Sequence, residues 1–192
     1  VTFLKVFGGT AQDEGYQVVQ TSDGGYIIVG RTFSFGAGSS SIYLLKTSAS
    51  GDTLWTKTYG SVFTDAGYSV QQTFDGGYII AGQLGEPDTL MEGLANVHLI
   101  KTNTTGDTLW TFLWDSGIGD IAYSVQQISD SGYIACGVLN SSINFNNPIP
   151  FLIKIGDNGD SLWTKLYDTP SVVNSVKQTF DGGYILTGLI GT

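Results

Sequence analysis

The residues able to do chemistry in this sequence are few, and their spacing assembles little. One histidine, His98, and one cysteine, Cys136, are all the chain has of either type. That is too few for the usual zinc sets or for Cys/His and Ser/His/Asp nucleophile arrangements. His98 aligns with Tyr43 and Phe151 of related segments and is expected to pack in an aromatic slot. Cys136 falls where related segments carry Val29, Ala81 and Thr187, and is expected to be buried filler with no internal disulfide partner. Gly117-Ile118-Gly119-Asp120-Ile121-Ala122 matches GxGxxA, but a strand is expected after it where a dinucleotide site needs a helix N-terminus. Seven acids recur at turn positions: Asp23, Asp75, Asp130 and Asp181 in one turn, and Asp52, Asp107 and Asp160 in another. Such Asp side chains satisfy turn backbone groups. A Ca²⁺ alternative is hinted at only by Gly156-Asp157-Asn158-Gly159-Asp160, which lacks the EF-hand spacing. Outside those turns no acid is expected to repeat, so a carboxylate pair for glycoside hydrolysis has no recognisable place. The expectation is a non-enzymatic chain with no catalytic residue, no metal ligand and no cofactor. Gln20, Gln72, Gln127 and Gln178 also recur. They either ring a central axis or bond their own turns; sharing a face with core valines favours the turns.

The elements that hold these residues are copies of one unit. Segment 66–82, AGYSVQQTFDGGYIIAG, recurs at 14–30, 121–137 and 172–188, and Tyr26, Tyr78, Tyr133 and Tyr184 lie 52, 55 and 51 residues apart. A second segment, LIKTNTTGDTLWTF at 99–112, recurs at 44–57 and 152–165 and carries Trp110, Trp55 and Trp163. Phe3 holds the Trp place at the N-terminus, where FLKVFGG mirrors WTKTYGS. Self-similarity at a fixed period points to a repeat architecture. Each copy reads as four strands: a (YSVQQT), b (GYIIAG), c (VHLIKT) and d (TLWTKTY). Tight hairpins join a to b through Asp-Gly-Gly (Asp-Ser-Gly in the third copy) and c to d through x-x-Gly-Asp. Strand b is apolar on both faces, as a sheet packed between two neighbours requires. Only 89–95 could form a helical turn. Four antiparallel strands per unit, repeated, predict an all-β, four-bladed β-propeller in a single domain, 1–192. The repeats run approximately 1–52, 53–107, 108–160 and 161–192.

Composition narrows the function classes. Hydrophobic residues make up 41% of the 192 and aromatics 12%, enough for a core, while charged residues are only 13%, about half the usual share. Net charge −9 excludes the basic footprint of a nucleic-acid binder. No apolar run of 18 residues predicts a membrane span. The chain opens at Val1 without a signal peptide, so any such peptide is expected to have been removed or to lie outside this sequence.

The SDGGYIIxG and LIKTxxxGDxxW pair resembles the tandem propeller repeats of secreted bacterial and archaeal proteins. The segment spanning strands c and d is also distantly similar to the Trp-docking blade of quinoprotein-type propellers. The resemblance covers essentially the whole chain. It implies a propeller fold and an extracellular or cell-surface setting, and it implies no reaction.

Chain direction places the a–b and c–d turns at one end of every unit and the longer, variable b–c and d–a loops at the other. A binding face, for glycans or other surface proteins, is expected among those loops. Its candidates are Phe33, Phe35, Asp65, Glu86, Asp88, Glu92, Phe145 and Asn146. Asn103-Thr104-Thr105 and Asn140-Ser141-Ser142 are glycosylation sequons. The structural anchors are Phe3, Trp55, Trp110 and Trp163. The fourth unit has strands a and b and, by ring closure, the N-terminal strand d from Val1 to Phe7; strand c is missing. Either the N-terminal strand closes the gap, or a strand from a neighbouring subunit fills it and builds a filament, or the chain is part of a longer repeat array.

Overall fold

The computed structural model describes residues 4–86, 95–117, 119–140, 148–169 and 171–190. Among them the chain is all-β, with fourteen strands and no helix. The first sheet is β1 (Asp13–Gln20), β2 (Tyr26–Thr32), β3 (Ser41–Thr47) and β4 (Thr53–Tyr59). The second is β5 (Ala66–Gln72), β6 (Tyr78–Gly85), β7 (Ala95–Thr102) and β8 (Thr108–Trp114). The third is β9 (Ile121–Gln127), β10 (Tyr133–Leu139), β11 (Ile149–Ile155) and β12 (Ser161–Leu166). Each is an antiparallel meander in chain order. A two-stranded sheet of β13 (Ser171–Gln178) and β14 (Tyr184–Ile190) follows.

Strand b of each unit explains the stacking. In β6, Tyr78 and Ile80 join a cluster with Ile27, Val29, Ile42 and Leu44 of the first sheet. Ile79 and Ala81, pointing the other way, join Tyr133, Ala135 and Phe151 of the third. In β10, Ile134 and Cys136 turn to Val176 of the fourth, with Tyr184 and Leu186 packed alongside. Alternate residues on a strand face opposite sides, so a run of apolar residues on both faces feeds two neighbours at once. The core is therefore three successive seams between sheets. The glycine that ends each strand-b motif is required by a close approach. A Cβ on Gly30, Gly82, Gly137 or Gly188 would lie 1.7–2.1 Å from the carbonyl oxygen of Glu14, Ala66, Ile121 or Val172. Strand a bulges there in every copy.

One expectation changes. Over the described part of the expected N-terminal strand, Leu4–Phe7 joins no ladder, since no c-type strand lies beside it among the described residues. The segment is still docked as a d-type strand would be. Lys5 reaches Asp52 at 2.9 Å just as Lys57 reaches Asp107 at 2.8 Å. The possible helical turn at 89–95 falls outside the described residues except for Ala95, which opens β7.

Candidate functional site

The turn end is built from a repeated clasp between an aspartate and a buried lysine. Asp23 Oδ1 accepts from Thr21 Oγ1 at 2.5 Å and from Gly25 N at 2.9 Å, closing its own turn. The lysine of strand c then reaches the same carboxylate: Lys46 to Asp23 at 2.8 Å, Lys101 to Asp75 at 2.8 Å, and Lys154 to Asp130. The Lys46 and Lys101 side chains are only 5% and 4% exposed, and each also donates to the carbonyl of the next residue, at 2.9 and 2.8 Å. A buried ammonium needs this full set of partners. The hydrogen bond from Lys46, then those from Thr21 and Gly25, hold the Asp23 carboxyl well below the usual range. Burial pushes Asp75 upward, but Lys101, Thr73 and Gly77 together hold it below its ordinary value. Asp181 keeps the turn half of this arrangement, accepting from Thr179 Oγ1 at 2.5 Å and Gly183 N at 3.1 Å. No lysine among the described residues pairs with it.

The recurring glutamines are two-sided connectors. Gln20, Gln72 and Gln127 donate Nε2 to the carbonyls of Gly24, Gly76 and Ser131 in their own turns, at 3.3, 3.3 and 3.1 Å. The Oε1 of Gln72, Gln127 and Gln178 accepts from the backbone N–H of Ser22, Phe74 and Ser129 in the preceding sheet, at 2.8, 2.7 and 3.1 Å. Further ties run between neighbouring first strands: Gln127 N to Gln71 Oε1 at 2.6 Å, and Gln178 N to Gln126 Oε1 at 3.1 Å. Tyr16, Tyr68 and Tyr123 form a ladder with centroids 5.2 and 5.4 Å apart. The fourth copy breaks this pattern, carrying Asn174 in the tyrosine place and Lys177, which has no acceptor atom, in the Gln71 place.

On the loop end, the binding-face candidates separate. Phe33 and Phe35 are 40% and 44% exposed. The Arg31 guanidinium lies 5.1 Å from the Phe33 ring centroid and pairs bidentately with Glu14, at 3.0 and 3.1 Å. Phe35 stacks on Tyr43 at 5.7 Å. Glu86 accepts from Asn96 Nδ2 at 2.8 Å. Asp65 is not a surface group. It is fully buried, and its carboxylate accepts from Ser61 N at 2.5 Å, Ser61 Oγ at 3.2 Å and Gly85 N at 2.7 Å. Burial pushes its pKa up, against these bonds. Its carboxylate is committed to holding the d–a loop against the end of strand b, which leaves none for a ligand. Asp13 and Asp120 do the same work, binding Gly9 N at 2.7 Å and Ser116 N at 2.6 Å. An acid outside the hairpin turns does therefore repeat, at the start of strand a. Alignment of 13, 65 and 120 is the signal that finds it. Asp88, Glu92, Phe145 and Asn146 lie outside the described residues.

Trp55, Trp110 and Trp163 occupy equivalent places on β4, β8 and β12 and meet Tyr78, Tyr133 and Tyr184 of the next sheet, at 5.8, 5.5 and 5.9 Å between centroids. Trp110 Nε1 also donates to the Asp157 carbonyl at 3.0 Å. Trp163 is 38% exposed. Phe3 lies outside the described residues. Asn103 closes its c–d turn, with Oδ1 accepting from Thr105 N and Asp107 N at 2.9 and 2.8 Å. Asn140 sits at a positive φ of 56° and donates its N–H to Asp120 at 3.1 Å. His98 and Cys136 are buried; burial alone lowers the histidine to about 4 and raises the thiol to about 12. The strand β9 follows Gly117–Asp120. Compared with known proteins, the chain matches no family model and no curated sequence.

Proposed function

We propose that this chain is a non-enzymatic, extracellular structural module, a four-bladed propeller in plan, that self-associates by strand addition at its fourth sheet. The extracellular setting rests on the resemblance of its motifs to secreted propeller repeats. The observation that carries the assembly reading is the state of the two end sheets. β14 pairs with β13 on one side and, among the described residues, with no strand on the other. Ile185, Leu189 and Ile190 on it are 58%, 66% and 77% exposed. At the opposite end Val18 is 61% exposed, although its equivalents Val70, Val125 and Val176 are 1%, 5% and 1% exposed. An open edge with apolar side chains is a template for another strand. Light scattering and electron microscopy of the purified chain test the reading. Growth of particle mass with concentration is expected, and a monodisperse particle of about the 20.5 kDa chain mass at high concentration overturns it.

A second reading, a glycan- or ligand-binding module using the b–c and d–a loops, is favoured by the exposed Phe33 ring backed by Arg31. A glycan screen tests it. Binding lost in Phe33→Ala supports this reading, and binding that maps to the Asp-Gly-Gly end overturns it.

A further inference from the structure

Resting on the assembly reading, we propose that the free edge of β14 is a sequence-selective acceptor for one kind of segment. That segment is an antiparallel strand supplied in trans with the pattern aromatic–Leu–(Leu or Ile)–Lys–(Thr or Ile), its lysine seated on Asp181. Three observations at different points along β14 specify the pattern.

The first is register. In the three complete sheets the strand paired to strand b is placed identically. Lys46, Lys101 and Lys154 stand opposite Ile27, Ile79 and Ile134. Leu44, Leu99 and Leu152 stand opposite Val29, Ala81 and Cys136. The aromatic side chains of Tyr43, His98 and Phe151 stand opposite Gly30, Gly82 and Gly137. The same positions on β14 are Ile185, Thr187 and Gly188, and β14 pairs with β13 in the same register as its equivalents do.

The second is charge. Asp23, Asp75 and Asp130 each hold the lysine of their own sheet, whereas Asp181, among the described residues, holds Thr179 and Gly183 and no lysine. Lys165 differs from its equivalent in the same way, with no ion pair among the described residues. Its equivalent Lys57 pairs with Asp107 of the next sheet, while Lys165 lies over the Tyr167 ring at 5.2 Å.

The third is shape. A groove of about 280 Å³ lies beside Gly188, walled by Pro150, Tyr167 and Leu186. In the third sheet the equivalent space holds the Phe151 ring, opposite Gly137 and 5.3 Å from Trp114. Tyr167 follows β12 where Trp114 ends β8. The groove is thus the place for an aromatic ring three residues before the lysine.

The test uses the 192-residue chain and a labelled peptide with the sequence of residues 149–157. Titration followed by fluorescence anisotropy is expected to give saturable binding. Changing the peptide's lysine to glutamate weakens it at least about tenfold, and so does changing its phenylalanine to alanine. In Asp181→Lys the preference reverses, so that the glutamate peptide binds better than the lysine one. That reversal keeps the test decisive even where a single variant loses stability. No binding up to about 1 mM, or binding indifferent to both charge and ring, overturns the proposal. Peptide binding by a chain that stays monomeric leaves this inference standing and removes the assembly reading. Assembly that saturating peptide does not inhibit removes the inference alone.

Discussion

At the scale of single residues, the buried groups set the pH response. Burial holds His98 near 4, against its ordinary 6.5, and its Nδ1 has no hydrogen-bond partner among the described residues. The unfolded chain therefore takes up a proton near 6.5 and the folded chain only near 4. Stability from this residue is complete above about pH 6.5 and falls as pH drops towards 4, by up to about 3 kcal/mol. Phe151 fills the equivalent place, so His98→Phe is expected to fold, to flatten the stability profile between pH 6.5 and 4, and to be the more stable protein at pH 5. Urea melts across that range check this, and an unchanged slope would show that other groups control it. The lysine clasps act lower. Asp23 and Asp130 are held down chiefly by Lys46 and Lys154, so their contribution persists until pH falls below the ordinary carboxylate range.

At the scale of the elements, the tryptophan of strand d is the lock between neighbours. Trp110 meets Tyr133 edge-on and donates to Asp157, and a Cβ on Gly159 would lie 2.9 Å from its ring. Full burial of such a side chain is worth about 3–5 kcal/mol against alanine. Trp110 is only partly buried, so Trp110→Ala is expected to cost about 2–3 kcal/mol. Trp163→Ala is expected to cost less, because its ring is more exposed and no c–d turn lies over it among the described residues. Thermal melts of the two variants give the comparison, and equal losses would contradict it. These elements were legible in the sequence because strand b repeats its apolar run and both hairpin turns repeat their glycines. Every strand of the three complete sheets was readable that way. The docking of Lys5 without a ladder was not, because a ladder depends on a neighbouring strand and not on local pattern. Asp65 was misplaced for a related reason. A lone acid in a variable loop looks solvated until Asp13 and Asp120 are set beside it. The Asp23–Lys46 clasp was half visible: the turn role of Asp23 follows from its place before two glycines, but its lysine lies in a different strand.

At the scale of the whole molecule, stability is a sum over seams. Among the described residues, the core clusters cover the second and third sheets on both faces and each end sheet on one. In such a stack, local opening starts at the ends. Amide hydrogen exchange is expected to be slowest in β6, β7, β10 and β11 and fastest in β13 and β14. Uniform protection across all fourteen strands would instead mean that the first and fourth sheets close on one another and unfold together. The fourth copy supplies Asn174 where β1, β5 and β9 carry a tyrosine and Lys177 where β5 and β9 carry a glutamine, so a closed seam there would lack both the ring contact and the glutamine tie.

The placement of the basic residues also decides how the folded chain meets a protease. Trypsin cuts after lysine and arginine, and this sequence has eight such residues. Arg31, Lys46, Lys57, Lys101, Lys154, Lys165 and Lys177 all lie within strands that are paired in ladders. Cleavage needs a stretch of backbone free to enter the enzyme's cleft, and laddered backbone does not supply it without local unfolding. Lys5 alone stands outside a strand. Brief trypsin treatment of the native protein is therefore expected to nick the bond after Lys5 and leave residues 6–192 as one resistant body. The next cut should follow Lys177 in the weakest sheet. Mass spectrometry of the digest reads that order directly, and the clasps that hold the lysines in place thereby also withhold them from digestion.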